Sequence, residues 1–158
     1  MSQAVTDTSR GSGFAGRARA ARIGAGVAVL AMALVVYGAY GDSQASNSQK
    51  SAVPFLLVFV AIAAAIVYGL LAPLAQRAVV ERSPAARRWA IGLSVASVLS
   101  LVAFWSGLPL ILGGAAALVG YDGRSGSHGS RAFDVAWWLG LAAGLLSVIV
   151  TIVGNTLH

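Results

Sequence analysis

Four stretches of this chain carry no charge and are long enough to cross a lipid bilayer: Ile23–Gly41, Val53–Ala75, Trp89–Tyr121 and Val135–Leu157. Spanning the hydrocarbon core takes about 20 consecutive apolar residues. Lipid offers no partner for backbone N–H and C=O groups, so each stretch must close its own hydrogen bonds as a helix. Strands of a membrane barrel would show alternating segments of about 10 residues, and none are visible. Composition agrees, with 58% of the 158 residues hydrophobic and 10% charged, where soluble domains run near a quarter charged. The pattern predicts an all-α membrane protein with four transmembrane helices in an up-down bundle. The expected spans are about 23–41, 53–75, 86–120 and 134–157, within one domain covering 23–158.

The placement of the basic residues orients these spans. Arg10, Arg17, Arg19 and Arg22 precede the first, and Arg77, Arg82, Arg87 and Arg88 separate the second from the third. Lys50 alone follows the first span, while Arg124 and Arg131 follow the third. Four crossings then put eight basic residues on one side and three on the other. Cytoplasmic loops carry the excess of Lys and Arg, so both termini are expected in the cytoplasm of a bacterial cell, with the protein in its cytoplasmic membrane. Arginines that border helices do not form a face for nucleic acid, so the partners expected are the bilayer and another membrane protein or a second copy. Residues 1–22, polar and rich in Gly, Ser and Arg, read as a disordered basic tail.

The chain has no cysteine, which removes disulfides, thiolate catalysis and Cys-ligated zinc. Pro54 marks the start of the second helix and Pro73 its end. Ser83-Pro84 reads as cap and first residue of the third, and Asp134 as the N-cap of the fourth.

The third block is too long for one simple span. Trp89–Gly120 would run about 48 Å as an unbroken helix, against a core of about 30 Å. Two crossings would bring Arg124 and Arg131 to the basic side, but would leave Pro109–Gly120 only about 18 Å for the return. A re-entrant dip is the third reading. The favoured expectation is one long helix kinked near Pro109, with Gly107 loosening the same turn as a hinge.

No span holds an ionisable residue deep within it, the usual mark of proton relays and voltage sensors. His128 lies in a loop and His158 is the last residue, so a Ser/His dyad has no base. Neither a catalytic constellation nor a cofactor or metal set is visible, and no enzymatic activity is expected. Ser94, Ser97 and Ser100 form a polar stripe on the third helix. On the fourth, Ser147 and Thr151 share a face, with Asn155 expected near its inner end. Gly140 and Gly144 form a GxxxG pair that lets two helices approach closely. Asp122, Arg124, His128 and Arg131 are expected in an outer loop suited to contact with a partner.

The segment FWSGLPLILGGAAALVG (Phe104–Gly120), set in an Ala/Gly/Arg-rich chain, resembles the small four-helix integral membrane proteins of actinobacterial type. The resemblance covers layout and composition and brings no activity or site residues with it. The function expected from the residues is that of an accessory, assembly or stress-related membrane subunit acting through helix packing. The alternative is a transporter or channel component for a lipid or small solute.

Overall fold

The computed structural model describes residues 4–41, 46–125 and 131–156. Among them every element is helical. Four helical stretches are long and apolar enough to cross a membrane: Gly16–Tyr40, Lys50–Val80, Ala85–Ala103 and Arg131–Thr156.

Helix α1 covers Ala4–Tyr40, so the segment read as a tail is helical from Ala4 onward. Helix α2 (Asn47–Ile66), a π-helical turn (Val67–Leu71) and helix α3 (Ala72–Val80) form one continuous rod. It starts about two turns before Pro54 and runs past Pro73, so neither proline bounds it. A proline in mid-helix lacks an N–H and presses on the carbonyl four residues back. Here the preceding turn widens, closed by Ala72 N–H donating to Val67 C=O, and absorbs both defects. The rod ends in a Schellman motif: Ser83 N–H donates to Ala78 C=O at 2.9 Å, and Arg82 N–H to Val79 C=O at 3.1 Å. Ser83 Oγ then accepts from Ala85 N–H at 3.3 Å, capping helix α4 (Ala85–Leu99).

The largest departure from expectation lies in the third apolar block. Helix α4 tightens into a 3₁₀ segment, Ser100–Ser106, in which Ala103 leaves helical geometry (φ −111°, ψ 46°). Gly107 follows with φ 73°, and helix α5 runs Leu108–Ser125. Early α4 residues Ala86, Ala90 and Leu93 pack in one cluster with late α5 residues Ala116 and Val119. The block is therefore a hairpin of two antiparallel helices, not one helix kinked near Pro109. The reversal sits at Ala103–Gly107, where glycine takes a left-handed conformation that a Cβ would penalise. Pro109 falls in the first turn of α5, where its missing N–H leaves no bond unmade.

Helix α5 forms the centre of the bundle. Its Ile111, Ala115, Ala116 and Val119 are fully buried, and α1, α3, α4 and α6 pack around it. Helix α6 (Arg131–Thr156) runs antiparallel to α5. A Cβ on Gly140 would meet the Gly113 carbonyl, and one on Gly120 would meet the backbone of Phe133 and Trp137. Backbone contact this close leaves no room for a Cβ at Gly113, Gly120 or Gly140. Asn155 near the end of α6 reaches Tyr37 near the end of α1, so the end of α6 stands opposite the start of α1's apolar run.

Candidate functional site

The two ends of the bundle differ in chemistry. At the end where α1 enters its apolar run, Asp122 on α5 accepts from Arg19 of α1 at 2.9 Å and from Gln76 of α3 at 2.7 Å. The Arg19 guanidinium also lies over the Tyr121 ring, 5.1 Å from its centroid. Tyr121 in turn meets Trp137 of α6 with centroids 5.6 Å apart. Beside them Arg124 Nε pairs with Asp134 at 2.8 Å. Four of the bundle's helices are tied together here by ion pairs and aromatic contacts.

This corrects the expected outer loop. Asp122 and Arg124 belong to the last turns of α5, and Arg131 opens α6. All three stand at the same end as Arg19, the end opposite Tyr37. Asp134 lies inside the first turn of α6 rather than at its N-cap, and its carboxylate is used by Arg124. His128 is outside the described residues. Among the described residues no three His, Cys, Asp or Glu side chains gather as metal ligands would.

The other sequence-selected residues have internal partners. Ser94 Oγ donates to Ala90 C=O at 2.7 Å, Ser97 to Ser94 C=O at 3.2 Å and Ser100 to Ser97 C=O at 2.7 Å. The stripe satisfies itself along its own helix and, among the described residues, bridges to no neighbour. Gly113 of α5 packs against Gly140 and Gly144 of α6 within the chain. Gly107 forms the turn.

The opposite end contains a cavity, and its origin lies in the hairpin. Gly107 packs beside Ala31 of α1 and Val60 of α2. Helix α1 continues from Ala31 to Tyr40, about 14 Å of further rise. The central helix stops short while its neighbours go on, leaving space above the turn. That space measures about 420 Å³, within the range of about 300–1,000 Å³ usual for small-molecule sites. Trp105 and Gly107 border it from the turn; Leu34, Val35 and Gly38 of α1 and Leu56 of α2 wall one side. The α6 wall carries Ser147, Thr151 and Asn155, spaced one helical turn apart along one face. Asn155 Nδ2 donates to Tyr37 C=O at 2.8 Å, so Asn155 stands at the far end from Arg19, whereas the single-crossing expectation put the two at one end. Thr151 Oγ1 donates to Ser147 C=O at 2.8 Å.

Ser147, Thr151 and Asn155 carry no site signal in the sequence beyond a shared helix face, because the cavity they border depends on where α5 begins. Arg19 was read only as an orienting charge. The signal for its partner was a lone carboxylate, Asp122, closing an apolar run. Compared with known proteins, no family, no curated protein and no solved structure matches the chain.

Proposed function

We propose that this chain is a non-catalytic multi-pass protein of a bacterial cytoplasmic membrane that holds a lipid or small amphiphilic solute above the Gly107 turn. It acts as a binding or carrier component. The observation that carries this reading is the cavity of about 420 Å³ left where the central helix stops short of its neighbours.

Charge supports the orientation. With α5 returning to the Arg19 end, that end collects ten of the eleven basic residues and leaves Lys50 alone opposite. Excess Lys and Arg mark the cytoplasmic side, so the ion-paired end faces the cytoplasm and the cavity faces outward. Irregular backbone at membrane depth is tolerated where protein buries it or where it lines a cavity; Ser106 and Gly107 of the turn are buried, and Trp105 and Gly107 line the cavity.

The accessory-subunit reading rested on packing motifs. Gly140 and Gly144 are occupied within the chain by Gly113, and the serine stripe is satisfied by its own helix. The test is purification in mild detergent, followed by mass spectrometry of all bound species. Retention of a stoichiometric lipid or solute is the expected result. A stoichiometric protein partner with no small molecule would return the accessory-subunit reading.

A further inference from the structure

We infer that the occupant of this cavity is an uncharged amphiphile whose polar end presents a hydrogen-bond acceptor to the Ser147 hydroxyl. The inference rests on the binding role proposed above and adds the chemistry of the ligand.

Ser147 is 1% exposed and lines the cavity. A helical serine usually bonds back to a carbonyl one turn earlier, as Ser94, Ser97 and Ser100 do. The Ser147 hydroxyl has no hydrogen-bond partner among the described residues; its carbonyl alone is engaged, by Thr151. An unmade hydrogen bond on a buried hydroxyl is costly, and Ser147 borders a cavity from which a partner can come.

The rest of the wall narrows the ligand further. Thr151 spends its proton on Ser147 C=O, and Asn155 spends one N–H on Tyr37 C=O. Among the described residues neither the Thr151 hydroxyl oxygen nor the Asn155 amide oxygen accepts a side-chain hydrogen bond, and both residues line the cavity. The polar edge therefore offers a donor at Ser147 with acceptors at Thr151 and Asn155, which suits a ligand carrying both a carbonyl and a hydroxyl. No Lys, Arg, His, Asp or Glu among the described residues lines the cavity, so a charged headgroup would lose water without gaining a counter-ion from them. Leu34, Val35, Leu56 and Val150 supply apolar contact for a hydrocarbon part. A monoacylglycerol has this combination, with an ester carbonyl, free hydroxyls, no charge and one chain.

Trp105 borders the cavity and provides the readout. The full chain, reconstituted in phosphatidylcholine nanodiscs, is titrated with a monoacylglycerol bearing a dibrominated acyl chain while tryptophan fluorescence is followed. Saturable quenching that disappears in Trp105→Phe is expected. Ser147→Ala should raise the apparent Kd about fivefold, with helicity and monodispersity unchanged. The brominated fatty acid of the same chain length, ionised at pH 9, should bind at least about tenfold more weakly. Equal binding of the ionised acid, or an unchanged Kd in Ser147→Ala, would overturn this inference and leave the binding role standing. No saturable Trp105 quenching by either probe would overturn both.

Discussion

Arg82 is the one non-glycine residue with positive φ among those described, at 52°. It occupies the C′ position of the Schellman motif that ends α3, with both of that motif's hydrogen bonds formed around it. An L-residue in this conformation costs about 1–2 kcal/mol that glycine avoids, partly offset by glycine's greater freedom in the unfolded chain. Arg82→Gly should therefore raise stability by about 0.5–1 kcal/mol, seen as a melting temperature about 2 °C higher in detergent. Arg82→Ala, which loses the same charge and keeps the strain, should give no such rise. Ser147 yields a second test with an opposite pair of signs. Its buried hydroxyl is unpaired in the protein alone, so Ser147→Ala should stabilise the ligand-free chain by about 1 kcal/mol while weakening ligand binding. Chemical denaturation of delipidated protein reads the first effect. A loss of stability there would mean that the hydroxyl already has a partner.

Helices α5 and α6 approach so closely that a Cβ on Gly140 would meet the Gly113 carbonyl and the Ala117 amide. Backbone atoms cannot rotate away as a side-chain tip can, so Gly140→Ala must part the helices. It should cost about 3 kcal/mol, the upper end of overpacking penalties. Gly154 lies on the same helix with nothing near its missing Cβ, and Gly154→Ala should be neutral or stabilising by up to about 1 kcal/mol. Comparing the two by thermal unfolding separates packing from helix propensity. That α1, the α2–α3 rod and α6 exist was legible from charge-free runs, but two of their lengths were not, since α1 is helical from Ala4 and the rod runs from Asn47 to Val80 past both prolines. The reversal between α4 and α5 was not, because Leu101, Val102, Ala103 and Trp105 contain no polar turn signal. A turn within apolar surroundings is built from different parts: Ser106 Oγ donates to Ala103 C=O at 2.6 Å and accepts from Leu108 N–H at 3.3 Å. The sequence Ser106-Gly107-Leu108-Pro109 does carry a helix-start signature of cap, left-handed glycine and first-turn proline. Read that way, Pro109 opens a helix rather than kinking one. The polar edge of the cavity was legible as residues one turn apart on α6, but the opposing wall on α1 was not, since it becomes a wall only once α5 stops short.

Across the whole molecule, one added reversal changes the side on which everything after it lies. If the third block crossed once, Ser125 would stand outside and Thr156 inside. With α4 and α5 antiparallel, Asp122 joins Arg19 and Gln76, and Asn155 joins Tyr37, so both assignments invert. The Arg19–Asp122 pair alone does not enforce this arrangement, because its side chains are 49% and 20% exposed and such pairs contribute about 1 kcal/mol or less. Close packing of α5 against helices on all sides holds the arrangement more strongly than that pair does. The chain has no cysteine, so Ser125→Cys and Thr156→Cys each introduce a unique thiol for a membrane-impermeant maleimide. Ser48→Cys is the control, since both topologies place it outside. In intact cells Ser48→Cys and Thr156→Cys should label, and Ser125→Cys should label only after the membrane is permeabilised. Labelling of Ser125→Cys from outside, with Thr156→Cys protected, would restore the single crossing. It would also remove the cavity, because that space exists only when a returning helix stops below the ends of its neighbours.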